Sequence, residues 1–121
     1  MIIRDLIPND VPAILGMYRE AFKGYPWFEQ LSEETVQQRW VSNSSQPAFH
    51  CLVAEHENEQ VAGAAWWNSL NQIMLQNERG EKLAKFSEMQ YPDWPLVWER
   101  EVMVSPSYQR NGLGLILRQE F

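Results

Sequence analysis

The stretch Val102-Met103-Val104-Ser105-Pro106-Ser107-Tyr108-Gln109-Arg110-Asn111-Gly112-Leu113-Gly114 reads as the end of a strand, a turn and the start of a helix that continues through Leu115-Ile116-Leu117. At such a junction free backbone N–H groups converge on one point, and a phosphate is the natural ligand. Glycines admit it close to the chain, and Arg110 can add a charge-assisted contact. The third glycine of a dinucleotide fingerprint is missing, and no Gly-Lys-Ser or Gly-Lys-Thr is present for a nucleotide P-loop. Both of those families are disfavoured.

Upstream, residues 96–104 read as one long strand. Strict alternation puts Glu99, Glu101 and Met103 on one face, and Trp98, Arg100, Val102 and Val104 on the other. Two acids on one face are candidates for proton transfer. Before it, residues 71–90 are mostly good helix formers, with Gly80 expected to divide or bend the helix. Residues 49–54 and 61–67 read as an antiparallel hairpin about a polar turn. Adjacent Trp66 and Trp67 cannot both face one side of a regular strand, so one of them should line a cleft.

Nearer the start, residues 2–7 form a strand stopped by Pro8, with Asn9 or Asp10 available to cap the next helix. Val11, Ile14, Leu15, Tyr18 and Phe22 recur at the helical period. A turn carrying Tyr25, Trp27 and Phe28 follows, and Ser32 with Thr35 opens a second helix that Val36 and Trp40 continue.

The 121 residues suffice for one domain. Ten basic against sixteen acidic residues give a net charge of −6, which disfavours a nucleic-acid surface and favours a small cationic or amphipathic partner. No apolar run approaches the roughly 18–20 residues of a membrane span, and the N-terminal residues lack the layout of a signal peptide. The cytoplasm is the expected location. Cys51 is the single cysteine and is expected to be buried and inert; with only His50 and His56 beside it, no metal site is expected.

The 102–114 string resembles the acetyl-coenzyme A signature of the GCN5-related N-acetyltransferase (GNAT) family, a strand reading Val-x-Pro and then Gln/Arg-x-x-Gly-x-Gly. The order strand, helix, helix, hairpin, long strand, signature and helix is also similar to that family. The resemblance implies an α/β (α+β) acyltransferase fold, with a mixed, mainly antiparallel sheet flanked by helices, in a single domain over residues 1–121. It implies acetyl-coenzyme A as the cofactor. Main chain at Val102, Met103 and Val104 would pair with the pantetheine arm, and amides of Gln109, Arg110, Asn111, Gly112, Leu113 and Gly114 would hold the pyrophosphate. Glu99 or Glu101 would take a proton from a primary amine, the acceptor being a small molecule or peptide, and Tyr25, Trp27 and Phe28 would border the acceptor cleft.

Family members continue past the signature helix with a strand, a helix and a final pair of strands, so the chain corresponds to the N-terminal three-quarters of that domain. The sheet edge this leaves invites pairing with a second copy of the chain as a homodimer. The alternative class is a non-catalytic module that binds acetyl-coenzyme A or a protein partner on the same fold.

Overall fold

The computed structural model describes residues 1–24, 27–57, 60–90, 96–109 and 112–119. Four strands, β1 (Ile2–Asp5), β2 (His50–Glu55), β3 (Val61–Leu70) and β4 (Leu96–Val104), form one sheet in the order β1-β2-β3-β4, with every neighbouring pair antiparallel. The helices are α1 (Val11–Lys23), α2 (Glu33–Ser44), α3 (Gln72–Arg79), α4 (Glu81–Gln90) and α5 (Leu113–Gln119). The hairpin of β2 and β3 forms as the sequence predicts. β3 runs on to Leu70, and α2 continues through Ser42 and Asn43 to Ser44.

Alternation along the strands supplies apolar side chains to both faces of the sheet, and a different helix covers each. On one face Ile14 of α1 packs with Cys51, Val53, Ala64, Trp66 and Met103, and Tyr18 and Trp40 close over them. On the other, Leu113 and Leu117 of α5 pack on Ala54, Ala62 and Ala65, flanked by Val102 and Val104. Gly63 makes the second contact close: a Cβ there would stand 2.8 Å from the Met103 carbonyl oxygen and 3.3 Å from Leu117 Cδ1. Cys51 is buried, and burial pushes its thiol up to about 12, which keeps it neutral and unreactive.

Helix ends follow local chemistry. The Ser32 hydroxyl accepts from the Thr35 N–H at 3.1 Å, the expected cap of α2. Gly80, at φ +97°, divides α3 from α4, a left-handed turn that a Cβ would oppose. Asp10 departs from the expected capping role. Its carboxylate accepts from the Ile7 N–H at 2.9 Å and from both terminal nitrogens of Arg4 at 2.8 Å, so it closes the turn before α1 and fixes β1 to it. Arg4 also donates to Glu55 across the sheet.

Candidate functional site

One residue too many on β4 shapes the site. The β3–β4 register pairs Trp66 with Glu101 and Trp67 with Glu99, leaving Arg100 opposite no partner as a β-bulge. Arg100 donates through Nε to Asn68 Oδ1 and through its two terminal nitrogens to Glu78 at 3.1 and 2.9 Å. Asn68 is fully buried, and its amide donates to the Ser69 carbonyl at 2.9 Å. The bulge is therefore pinned from β3 and from α3, and the Arg100 guanidinium holds the Glu78 carboxyl below its ordinary range.

The bulge corrects the shared acidic face expected from alternation. Glu99 turns toward α5, where Arg118 donates to its Oε1 at 3.0 and 3.2 Å. Glu101 turns to the α1–α2 face with Met103. Burial there, with a smaller contribution from the Glu99 charge, pushes the Glu101 carboxyl up to about 7.

Glu101 lines a cavity of about 230 Å³ enclosed by Ile14, Leu15, Tyr18, Val36, Arg39, Trp40, Asn43, Trp66, Arg79 and Arg100. Trp40 meets the Trp66 ring edge-on at 5.2 Å, and Tyr18 lies parallel to Trp66 at 6.4 Å. Trp66 is thus the tryptophan that lines the cleft, while Trp67 stacks on His50 at 4.8 Å. A wider cavity of about 680 Å³ near the start of α1 is lined by Arg4, Asp10 and Glu55, whose charges already satisfy one another.

The aromatic turn lies apart from the Glu101 cavity. Trp27 packs on Phe22 at 5.1 Å and is 55% exposed, Phe28 is 69% exposed, and neither lines that cavity; Tyr25 is outside the described residues. Among the described residues of α1 and α2, Tyr18, Arg39, Trp40 and Asn43 line that cavity. Their signal was in the sequence as the helical period of Ile14 with Tyr18 and of Val36 with Trp40, which by itself reads only as core.

At the signature, Ser105 N–H donates to Ala62 O at 2.8 Å, and antiparallel alternation carries that pairing to Met103 and Glu101. The N–H groups of Val102 and Val104 consequently point away from β3, while the Met103 side chain is buried under α1 and the Met103 N–H is turned into the sheet. Gln109 Nε2 donates to the Val104 carbonyl at 3.1 Å and straps the turn to the strand end. Gly112, at φ +76°, has open space among the described residues where a Cβ would project. The Leu113 side chain is buried against the sheet, so only its backbone faces the turn. Gly114 faces inward as well: a Cβ there would lie 3.9 Å from Val102 Cγ1 and from Val104 Cγ2. Arg110 and Asn111 are outside the described residues.

Solved structures share this architecture. A ribosomal-protein-alanine N-acetyltransferase from Brucella melitensis superposes with a TM-score of 0.63 at 23% identity, over 99% of this chain and 64% of that one. A possible acetyltransferase from Clostridium difficile 630 gives 0.68 at 12% identity, over 98% and 66%. A GNAT superfamily phosphinothricin acetyltransferase from Sinorhizobium meliloti, in complex with AcCoA, gives 0.63 at 22% identity, over 98% and 56%. The chain thus spans less than two thirds of the length of each. None of the curated proteins matches the sequence.

The fold is therefore that of the acetyltransferases. The model of the acetyltransferase (GNAT) family matches residues 12–120, and the chain belongs to that family.

Proposed function

We propose that the protein transfers an acetyl group from acetyl-coenzyme A to the primary amine of a small-molecule or peptide acceptor in the cytoplasm, by direct attack. The observation that carries this reading is Glu101, a half-buried carboxyl pushed up to about 7, lining an enclosed cavity on the strand that leads into the signature turn. A base poised near the working pH takes a proton most effectively, and an amine must lose one to attack.

Coenzyme A fits the residues around the turn. Gly112 has a left-handed backbone with open space beside it among the described residues, and the first N–H groups of α5 have no acceptor within the helix. Gly112, Leu113 and Gly114 would hold the pyrophosphate through their backbone, with Gln109, Arg110 and Asn111 completing the turn. Val102 and Val104 would pair with the pantetheine arm through the main-chain groups directed away from β3. When bound, acetyl-coenzyme A supplies the thioester carbonyl that the amine attacks. Glu101 would accept the amine proton as the N–C bond forms, coenzyme A would leave as its thiolate when the C–S bond breaks, and an outward N–H on β4 would donate to the developing oxyanion. Trp66, Trp40 and Tyr18 exclude water from that step.

Calorimetric titration with acetyl-coenzyme A, followed by thiol release in the presence of mixed amines, tests the reading. Binding with thiol release that Glu101→Gln lowers about 10²-fold is expected. Binding without release would leave a cofactor-binding module, and absence of binding would overturn both.

A further inference from the structure

More arginines than carboxylates line the cavity around Glu101, although the chain is anionic and Arg100 is paired with Glu78. Its charged lining is Arg39, Arg79 and Arg100 against Glu101 alone, while the whole chain carries 10 basic and 16 acidic residues. At short range the lining decides, because exposed charges are largely screened beyond about 8 Å at physiological ionic strength. The expectation of a small cationic or amphipathic amine, drawn from net charge, takes no account of this local lining.

Arg39 is the informative member. Arg100 is bound to Glu78 and Asn68. Arg39 donates to the Tyr18 hydroxyl at 3.3 Å and lies over the Phe22 ring at 5.8 Å. Among the described residues no carboxylate stands within 4.0 Å of it, in a chain where Arg4, Arg19, Arg100 and Arg118 each have one. A phenol and an aromatic face orient the guanidinium, and the Glu29 charge acts on it only from beyond 4.0 Å. A planar fork held in this way is matched by a carboxylate that accepts two parallel hydrogen bonds.

We propose that the acceptor is a small apolar α-amino acid, its carboxylate on Arg39, its amine beside Glu101, and its side chain among Ile14, Val36 and Trp66. The proposal rests on the acetyl-transfer reading and names its substrate class. The enclosed volume of about 230 Å³ suits a molecule of that size rather than a folded peptide segment, and the apolar part of the lining suits an aliphatic side chain. The amino acid brings a second carboxylate to a lining that holds three arginines and one carboxylate.

The test uses L-leucine, L-leucinamide and 3-methylbutylamine, which share an aliphatic frame and differ in the carboxylate. Each is titrated calorimetrically into the protein, with and without saturating coenzyme A, and each is offered as acceptor with acetyl-coenzyme A. L-leucine is expected to bind at least about tenfold more tightly than the amide or the amine. Arg39→Gln should abolish that preference, lowering L-leucine affinity far more than leucinamide affinity, and Arg39→Lys should retain part of it. Equal affinities for L-leucine and L-leucinamide in the unsubstituted protein would overturn the proposal without recourse to any variant. Acetylation of 3-methylbutylamine as fast as L-leucine would overturn it and leave acetyl transfer standing. Arg39-dependent binding of L-leucine with no thiol released from acetyl-coenzyme A would support the carboxylate anchor and overturn the transfer reading.

Discussion

Glu99 and Glu101, two positions apart on β4, lie on opposite faces of the sheet because Arg100 bulges between them. Glu99 is bound by Arg118 of α5, while Glu101 lines the enclosed cavity beside Trp66. Coupling survives the separation, since the Glu99 charge adds to the burial that raises Glu101.

Their substitutions should therefore differ in kind. Glu101→Gln is expected to lower kcat/KM about 10²-fold at neutral pH with coenzyme A affinity intact, the loss shrinking as rising pH deprotonates the amine unaided. Glu99→Gln removes a neighbouring negative charge and should move the acid limb of the pH–rate profile to lower pH. An equal fall in rate for both, with no movement of the limb, would assign the two acids one role.

Stability should carry the same signature. The folded Glu101 carboxyl sits at about 7 against an ordinary 4.5, so between those values the native state binds more protons than the unfolded chain. This group then contributes falling stability as pH rises from about 4.5 to about 7. Glu101→Gln should be more stable than the parent at pH 8, by on the order of 1 kcal/mol after allowance for solvent screening, with the difference vanishing near pH 4. Urea unfolding at the two pH values measures it.

Most elements were legible because their signals are local: the period of Ile14 with Tyr18, the break at Gly80, and the polar turn between two apolar runs. The bulge was not, because alternation assumes equal residue counts on paired strands. What holds the extra residue, Asn68 and Glu78, lies 32 and 22 positions away in the chain. The cavity escaped for a related reason. Periodicity marks Val36 and Trp40 as inward-facing, but only the crossing of α1 and α2 over β3 and β4 reveals the space they enclose with Arg39 and Glu101.

Close approach at Gly63 makes a stability prediction with an internal control. Gly63→Ala places a Cβ 2.8 Å from a main-chain oxygen and 3.4 Å from Leu113 Cδ2, so β4 and α5 must move apart. A loss of about 1–3 kcal/mol is expected. Gly16, within α1, has nothing within 4 Å of a Cβ, and Gly16→Ala should instead stabilise by about 0.5–1 kcal/mol through helix propensity. Chemical denaturation of the two variants distinguishes packing from composition, and a stabilised Gly63→Ala would show that the sheet and α5 yield freely.

The two glycines of the signature should separate cofactor binding from packing. At Gly112 a Cβ meets nothing within 4 Å among the described residues but must adopt φ +76°, which costs a side-chain-bearing residue about 1–2 kcal/mol. Gly112→Val should fold with a modest loss of stability and lose at least about tenfold in coenzyme A affinity, because the side chain occupies the approach to the turn. At Gly114 the added atom points toward Val102 and Val104 at ordinary contact distance. Gly114→Ala should therefore keep both stability and affinity, whereas Gly114→Leu should loosen α5 from β4 and lower the melting temperature before it alters binding. Calorimetry with coenzyme A beside thermal melts of the three variants reads both quantities. Unchanged affinity in Gly112→Val, together with weakened affinity in a fully stable Gly114→Ala, would move the pyrophosphate to the other side of this turn.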